Sequence, residues 1–278
     1  MWRFKLLLKI LLSQFNIPYS FFKNFPIFKH GKMNSVDYAI NVFISRIEII
    51  CPLQNLTGKK LLELGPGDSL ASAVLGSTFG SEVVLVDVSS YASCDTNFYI
   101  DLTSRLRSMG LSPPQITANS TVEDTLQICN ANYMTSGLVS LKAIPDNSID
   151  IIFSQAVLEH VRKQDFFQLL LECRRILKPG GICSHQVDLK DHLGGSLNHL
   201  RFHESIWESP LFAKSGFYTN RIRYDQMVEL FKKAGFNVDV SRVLRWASIP
   251  IDTRHLSQKF QSLSDKNLLV QQFDVLLK

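Results

Sequence analysis

Two short apolar runs in the first third of the chain end at residues that could hold a ligand. The first run, Lys60–Leu64, passes into a turn with Gly65 and Gly67, and the second run ends at Asp87. Glycines permit backbone conformations that other residues avoid, and they let a ligand approach the main chain. Asp87 lies 20 residues beyond Gly67, which is the spacing at which a nucleotide-binding βαβ unit places an acid against ribose hydroxyls. The pattern predicts a turn that binds a nucleotide-like ligand.

A second group of reactive side chains lies further along the chain, and its members are His160, His185, Asp188, Asp191 and His192. The last four lie on or just beyond a predicted strand, and ligands of open α/β sheets bind outside the carboxyl ends of strands. A histidine is the favoured general base because its ordinary pKa is closest to neutrality. The two aspartates could orient a histidine, bind substrate hydroxyls or bind a metal. A hydrogen-bonded structural role for each histidine stays open.

The spacing of apolar residues predicts strands and helices that alternate along the chain. The predicted strands are Lys60–Leu64, Glu82–Val86, Asn132–Thr135, Ser148–Ser154, Gly181–Val187, Phe236–Trp246 and Val270–Leu277. Helices are predicted from a cap at Asn34 or Ser35 to Pro52, from a cap at Asp68 or Ser69 to about Phe79, from Thr121, from Gln155 to the Pro179-Gly180 stop, and over Met227–Ala234. This alternation predicts an α/β fold with a parallel sheet.

Several motifs, in order along residues 59–187, resemble those of the class I S-adenosylmethionine-dependent methyltransferases. Glu63–Gly67 is similar to the first motif of that family, Asp87 to its ribose-binding acid, Ile144–Val161 to its fourth strand and the helix after it, and Arg174–Gly181 to the turn before its fifth strand. Ser69 is a departure, because a third glycine often stands at that position. A dehydrogenase would carry the stricter G-x-G-x-x-G, which this turn lacks.

The resemblance implies a Rossmann-like α/β fold, with a seven-stranded, mostly parallel sheet, helices on both faces and the last strand antiparallel. It also implies S-adenosylmethionine as the cofactor. In that family Glu63 would orient the turn and the methionine amino group, and Asp87 would hold the ribose. The other predicted cofactor contacts are Gly65, Pro66, Gly67, Val88, Gly137, Leu138, Ser154 and Gln155.

A chain of 278 residues, 45% of them hydrophobic, can form one large α/β domain with additions. We predict an N-terminal helical extension or lid over residues 1–55 and a methyltransferase domain over residues 56–278, with a substrate cap inserted at about 188–225. The five cysteines are scattered and form no C-x-x-C pair. This usage predicts reduced thiols in the cytoplasm and argues against a disulfide framework or a zinc site.

Positive charge is concentrated near the start of the sequence. Residues 1–33 contain six basic and no acidic residues, whereas the rest of the chain has 24 basic and 25 acidic residues. Residues 1–15 have the pattern of a helix, and the aromatic-rich segment Phe15–Phe28 follows. Either this helix lies on an anionic membrane surface at the inner face, or it packs over the catalytic domain as a lid, which we favour. The near-neutral remainder argues against a nucleic-acid partner.

Together these features predict an enzyme that methylates a hydroxyl of a small molecule, a sugar or a glycan, including a lipid-linked one. Methyl transfer from a sulfonium needs positioning, a dry pocket and a base, and no metal is required. A metal-assisted reaction at the cluster of histidines and aspartates is the alternative. Polar and aromatic residues of the predicted cap, among them Trp207, Tyr218 and Asn220, suit a hydroxylated or anionic acceptor. The rival interpretation is a non-catalytic module that keeps the pocket and docks to a membrane or nucleic acid.

Overall fold

A computed structural model describes residues 2–13, 33–93 and 95–278 of the protein. Its helices are α1 (Trp2–Ser13), α2 (Val36–Ile47), α3 (Ala71–Thr78), α4 (Thr96–Ser108), α5 (Val122–Ile128), α6 (Leu138–Lys142), α7 (Lys163–Ile176), α8 (Glu204–Trp207), α9 (Pro210–Ala213), α10 (Tyr224–Lys233), α11 (Gln258–Gln261) and α12 (Asp265–Leu268). Its strands are β1 (Lys60–Leu64), β2 (Glu82–Val86), β3 (Ala131–Met134), β4 (Ile149–Gln155), β5 (Leu177–Asp188), β6 (Val238–Arg245) and β7 (Val270–Leu277). The aromatic-rich segment Phe15–Phe28, together with residues 30–32 and Cys94, lies outside the described residues.

Seven described strands form one sheet in the order β3-β2-β1-β4-β5-β7-β6. Strand β1 pairs in parallel with β2 and with β4, so that Leu61 lies opposite both Val83 and Ile151. Strand β7 runs antiparallel, which confirms the predicted fold class. The chain connects outward in opposite directions from β1 and β4, and this reversal creates the crevice at which open α/β sheets bind ligands.

The residues cluster into two compact units. The larger unit comprises His30–Gln155, Gln168–His185 and Leu276–Lys278, and the smaller unit comprises Met1–Lys29, Ala156–Phe167 and Gln186–Val275. The predicted boundary at residue 55 and the predicted cap over residues 188–225 stay predictions.

The core of the larger unit forms because apolar residues recur on one face of α2. Ala39, Ile40, Phe43 and Ile47 are buried there, as their helical spacing predicts. The ring of Phe43 meets that of Phe153 edge-on, with 5.8 Å between the ring centroids. Helix α2 ends at Ile47, before the predicted stop at Pro52, and the described hydrogen bonds include none from a side chain at its N-terminal cap.

An aromatic core holds the smaller unit together. Its buried members are Leu6, Leu193, Trp207, Phe212, Phe217 and Tyr218. The indole nitrogen of Trp207 donates a hydrogen bond to the carbonyl oxygen of Thr219 over 2.7 Å, which satisfies the polar atom of a fully buried ring. The polar and aromatic residues that the sequence suggested for acceptor recognition, Trp207, Tyr218 and Asn220, therefore lie in the interior.

Two local predictions in the larger unit are wrong. Leu70, rather than Asp68 or Ser69, stands at the N-terminal cap of α3, and Ser69 instead donates its hydroxyl to the carbonyl oxygen of Met33 over 2.7 Å. The helix predicted to begin at Gln155 is also wrong, because β4 continues through that residue.

The chain that follows β4 is a turn. Ala156 adopts a φ of 54°, a left-handed conformation that ends the strand and prevents a helix from starting. His160 lies in this turn rather than in a helix, and α7 begins only at Lys163. No helix in the described ranges has the length and apolar character needed to cross a bilayer.

Candidate active site

The turn after β1 has the backbone shape that its glycines predict. Gly65 and Gly67 have φ values of 64° and 66°, in the left-handed region that favours glycine. The amide of Gly65 donates to the carbonyl oxygen of Val86 over 2.8 Å, which fixes the turn against β2. Pro66 between them is buried. A side chain on either glycine would be strained, so the turn exposes backbone at the carboxyl end of β1.

Asp87 is bound to that turn. One carboxylate oxygen, Oδ2, accepts from the amide of Gly67 over 3.2 Å, and the other, Oδ1, accepts from the amide of Val88 over 2.7 Å. The carboxylate is largely buried, and burial raises its pKa while these two hydrogen bonds lower it. The sequence spacing of 20 residues therefore does correspond to direct contact between the acid and the glycine turn.

Glu63 is the most strongly perturbed carboxyl of the turn. Its side chain is 2% exposed, and burial raises its pKa to about 8; the nearby hydroxyl of Ser72 opposes the rise, and the charge of Asp87 adds to it. Its Oε2 atom is buried and has no hydrogen-bond partner among the described residues. A buried carboxyl without a partner carries a desolvation cost that a bound cation or donor would relieve.

Val88, Gly137 and Leu138 lie together beside Asp87. The amide of Gly137 donates to the carbonyl oxygen of Asp87 over 2.8 Å, and Leu138 begins α6. Gly137 has a φ of 53°, and a Cβ atom there would lie 3.1 Å from Cγ1 of Val88. The side chain of Val88 is 70% exposed. This group is an open apolar shelf next to Asp87, the predicted ribose-binding acid, and it suits the flat face of a base.

Ser154 and His185 form a buried pair near the ends of β4 and β5. The hydroxyl of Ser154 and Nδ1 of His185 are 2.8 Å apart, and both side chains are inaccessible to solvent. Burial lowers the pKa of His185 to about 3, and the positive charge of Arg46 lowers it further. His185 is therefore neutral at physiological pH and is a poor proton acceptor. Gln155, the last residue of β4, is half-buried.

Two tyrosines that the sequence interpretation missed brace the loop after β2. The hydroxyl of Tyr99 donates to the carbonyl oxygen of Ser93 in that loop over 3.4 Å and accepts from the amide of Leu70 over 3.1 Å, and the hydroxyl of Tyr133 accepts from the amide of Tyr91 over 3.2 Å. Tyr133 also donates to the carbonyl oxygen of Ser89 over 3.1 Å. Both act on backbone far away in sequence, so no local motif could have indicated them.

In the smaller unit, backbone and amide contacts hold the turn that carries His160. Nδ1 of His160 lies 2.9 Å from the carbonyl oxygen of Tyr218. The side-chain amide of Asn220 donates to the carbonyl oxygens of Leu158 and Val161 over 2.8 and 3.0 Å. Because a carbonyl oxygen only accepts, Nδ1 of His160 carries the hydrogen and the lone pair lies on Nε2. The turn thus presents a histidine in the tautomer that a general base needs.

His192 lies beside His160. Their ring centroids are 4.7 Å apart with a 54° angle between the planes, and both residues are exposed. The structure thus brings together two of the three predicted histidines within the smaller unit, and both are accessible.

The two predicted aspartates have different surroundings. Asp191 is buried, and its carboxylate accepts from the amides of Leu193, Gly194 and Asn198 over 3.0, 2.7 and 2.6 Å. These three hydrogen bonds stabilise the conformation of the loop over residues 191–198. Asp188 is half-buried and forms an ion pair with Lys190 over 3.1 Å.

Glu159 is a further acidic residue that the sequence interpretation missed. It is 2% exposed, and one of its carboxyl oxygens accepts from the amide of Asp188 over 3.2 Å. Burial raises its pKa well above the ordinary value, and the nearby charge of Asp188 adds to the rise. Glu159 precedes His160 in the same turn, so the smaller unit places a carboxyl of raised pKa next to the predicted base in sequence.

The fold and the glycine turn are those that the resemblance to class I S-adenosylmethionine-dependent methyltransferases implies. Residues 93–184 match the family model described as a methyltransferase domain. A probable S-adenosylmethionine-dependent methyltransferase of Mycolicibacterium smegmatis is 31% identical over 114 residues, which make up 40% of this chain and 38% of that protein. The chain thus matches well under half of the length of this curated relative.

A solved structure has the same fold. Phosphoethanolamine N-methyltransferase 2 of Haemonchus contortus, in complex with phosphomonomethylethanolamine and S-adenosylhomocysteine, aligns with a TM-score of 0.50 at 16% sequence identity. The alignment covers 96% of this chain and 59% of that one. At this level of identity the likeness concerns the fold alone. The matches together support the predicted methyltransferase family, whose cofactor is S-adenosylmethionine.

Proposed function

We propose that this protein uses S-adenosylmethionine to methylate a hydroxyl oxygen of a small molecule, a sugar or a glycan, and that lipid-linked acceptors belong to this class. The observation that carries the proposal is the unpartnered, buried Oε2 of Glu63 beside Gly65 and Gly67. A methionine ammonium group would supply the donor and the positive charge that this carboxyl lacks.

The other residues of the larger unit suit the remaining parts of the cofactor. The carboxylate of Asp87 can accept hydrogen bonds from ribose hydroxyls in addition to those from the amides of Gly67 and Val88. The exposed side chain of Val88, with Gly137 and Leu138 next to it, offers an apolar surface for adenine. When bound, the cofactor would supply an electrophilic methyl group on a sulfonium, and the acceptor oxygen would bond to that carbon as the neutral thioether leaves.

The acceptor hydroxyl must lose its proton in this reaction, and we assign that proton to Nε2 of His160, with His192 as the alternative base. Nδ1 of His160 donates to the carbonyl oxygen of Tyr218, which leaves the lone pair on Nε2 and helps to orient the ring. His185 is less suited, because its pKa of about 3 makes it a poor proton acceptor. The roles of Asp188 and Asp191 in the reaction stay predictions.

A binding experiment followed by an acceptor screen tests the proposal. Titration calorimetry should detect S-adenosylmethionine binding to the wild-type protein and at least about tenfold weaker binding to Glu63→Ala, since the lost contact is charge-assisted. Ser262→Ala, which changes an exposed hydroxyl elsewhere, should bind normally. The absence of binding to the wild type would overturn the proposal.

The rival interpretation predicts binding without turnover. Our proposal instead predicts that a labelled methyl donor transfers its label to at least one member of a panel of sugars, glycans, phenols and lipid-linked saccharides. Tight cofactor binding with no transfer to any hydroxylated acceptor would favour the non-catalytic module. Transfer to amines alone would keep the enzyme but contradict the oxygen acceptor. The predicted cytoplasmic location and the predicted lack of a nucleic-acid partner stay predictions.

A further inference from the structure

Helix α1 has two apolar faces, and only one of them is used inside the protein. Trp2, Leu6 and Ile10 are spaced by four residues and therefore share a face. Leu6 is buried in the aromatic core of the smaller unit, and Trp2 and Ile10 pack partly buried against that core. Phe4 and Leu7 lie on another face and are 71% and 60% exposed. Phe4 is therefore a large aromatic side chain left mostly in water.

A helix in contact with α1 also exposes an apolar side chain. Helix α9 contacts α1 and exposes Leu211. We call Phe4, Leu7 and Leu211 the α1–α9 patch. A patch of large apolar side chains at a helix surface marks a site of contact with another molecule or a membrane.

Positive charge accompanies the patch. The guanidinium carbons of Arg3 and Arg201 lie 5.6 and 5.4 Å from the ring centroid of Trp2, so both groups lie at this end of α1. Residues 1–33 contain six basic and no acidic residues. A cationic, aromatic and leucine-rich surface of this kind is complementary to anionic lipid headgroups above an apolar layer.

Glu204 and Glu208, at the two ends of α8, do not cancel this positive charge, because each already has a partner. Glu204 forms ion pairs with Lys163, Arg221 and Lys259. Glu208 lies 3.5 Å from Arg162 and accepts a hydrogen bond from the hydroxyl of Tyr218. Of the two basic groups around Trp2, Arg3 is exposed, and Arg201 is half-buried and donates a hydrogen bond to the side-chain oxygen of Asn198 over 3.1 Å.

We propose that α1 docks this protein onto an anionic lipid surface, with Phe4 and Leu7 inserted below the headgroups and Arg3 and Arg201 bound to lipid phosphates or carboxylates. The described helix is about 18 Å long and buries Leu6 in the aromatic core of the smaller unit, so we place its exposed face in the plane of the interface. The occupant is a lipid surface and not a second copy of the chain, because a second copy would bring the same positive charge against itself. This inference does not depend on methyl transfer.

Vesicle co-sedimentation of the full chain tests the proposal. Wild-type protein should bind vesicles of phosphatidylcholine with about 30% phosphatidylserine and should bind pure phosphatidylcholine weakly. Phe4→Ser/Leu7→Ser should bind the anionic vesicles at least about tenfold more weakly, because it removes the inserted side chains. Arg3→Glu should also weaken binding, and about 0.5 M NaCl should release the wild type.

A matched control is available on another helix. Phe167 and Leu171 of α7 are likewise a phenylalanine and a leucine, each 38% exposed. Phe167→Ser/Leu171→Ser should keep wild-type vesicle binding. Circular dichroism and the thermal midpoint should show that both double variants are folded, since all four side chains are exposed.

Three outcomes would overturn the proposal. The first is equal binding to neutral and anionic vesicles, and the second is equal loss in the α1 and α7 double variants. The third is no vesicle binding together with a wild-type dimer that Phe4→Ser/Leu7→Ser converts to a monomer in sedimentation velocity. The third outcome would assign the α1–α9 patch to contact between copies of the chain.

Discussion

The hydrogen bond between Nδ1 of His160 and the carbonyl oxygen of Tyr218, 2.9 Å long, fixes which imidazole nitrogen can receive a proton. The hydrogen must lie on Nδ1, and the lone pair on Nε2 is the basic site. The same arrangement would hold the hydrogen on Nδ1 after Nε2 is protonated, so the carbonyl of Tyr218 stabilises the imidazolium that a base forms during turnover.

Replacement of His160 should therefore reduce turnover without affecting cofactor binding. A general base contributes about 100-fold or more to the rate, so His160→Ala should lower kcat by at least that factor. The dissociation constant for S-adenosylmethionine, measured by calorimetry, should stay unchanged. His203→Ala serves as the control, because His203 is exposed and bonds only to the neighbouring Ser205 in the described contacts. Full turnover in His160→Ala and in His192→Ala would reject both residues as the base.

Removal of the Asn220 side chain should loosen the turn that carries His160. The amide of Asn220 donates to two carbonyl oxygens of the turn, and its oxygen accepts from the amide of Ile222 over 3.0 Å. Asn220→Ala leaves these buried groups unpaired, so the free energy of unfolding should fall by about 3 kcal/mol. Urea denaturation measures the change.

Asn132→Ala, at an exposed position of β3, should change the stability by less than about 0.5 kcal/mol. Asn220→Ala should also reduce kcat more than it reduces cofactor affinity, because it acts on the turn of His160. An unchanged unfolding curve for Asn220→Ala would contradict the bracing role.

Much of the fold follows from local sequence. The Thr121-x-x-Asp124 pattern predicted a helix start, and the structure forms a full capping box there, with Thr121 and Asp124 each accepting from the backbone amide of the other. The apolar runs ending at Leu64 and Val86 became the parallel strands β1 and β2, and Asp87 reached the glycine turn at the expected spacing. These features depend on contacts within one or two elements, and short-range patterns report such contacts well.

The sequence-based prediction is wrong where hydrogen bonds to residues far away in sequence determine the local conformation. The residues after β4 have helical propensity, yet the amide of Ala156 donates to the carbonyl oxygen of Gln186 over 2.9 Å and the residue takes a left-handed φ. Ser69 looked like a helix cap, but its hydroxyl is bound to Met33, 36 residues earlier. No local pattern reports partners so far away, and the same holds for the buried Glu159 and Asn220.

The raised pKa of Glu63 predicts a stability that declines with rising pH. The folded protein holds the proton up to a pKa of about 8, whereas the unfolded chain releases it near the ordinary value of 4.5. The folded state thus binds more protons between these values, so the free energy of unfolding should fall as the pH rises from about 4.5 to 8. Thermal unfolding midpoints of the wild type and of Glu63→Gln, compared across this pH range, measure the contribution of Glu63 to the pH dependence of stability.

Cofactor binding should reverse this effect, since a bound ammonium group favours the ionised carboxyl. Calorimetry near pH 7 in buffers of different ionisation enthalpy should then detect about one proton released on binding to the wild type and none with Glu63→Gln. Identical pH dependence of unfolding in the two proteins would contradict a neutral Glu63.

The lowered pKa of His185 predicts that the protein loses stability as the pH falls. Its pKa of about 3 in the folded protein lies below the ordinary value of 6.5, so the unfolded chain binds the proton first as the pH falls. Stability should therefore be lost between pH 6.5 and 3. Burial also lowers the pKa of His199 to about 3, so His185→Asn should reduce this loss without abolishing it. His203→Asn, at an exposed position, should keep the wild-type slope, and an equal slope in all three proteins would contradict the assignment.

A single methyl group at Gly137 should interfere with the adenine end of the site. Gly137 has a φ of 53°, which costs a residue with a Cβ atom about 1–2 kcal/mol, and the added atom would lie 3.1 Å from Cγ1 of Val88. Val88 must therefore move, which alters the apolar shelf beside Asp87. Gly137→Ala should lower the affinity for S-adenosylmethionine by at least about threefold and should lower the thermal midpoint.

Gly194→Ala is the matched control, because a Cβ atom added there would meet no heavy atom of the described residues within 4 Å, and Gly194 is not among the residues with positive φ. It should bind the cofactor and unfold like the wild type. The comparison separates an effect on the shelf from the general effect of stiffening a loop. Equal cofactor affinity in Gly137→Ala, Gly194→Ala and the wild type would place adenine away from Val88. The prediction of a cofactor site would then rest on Asp87 and the glycine turn.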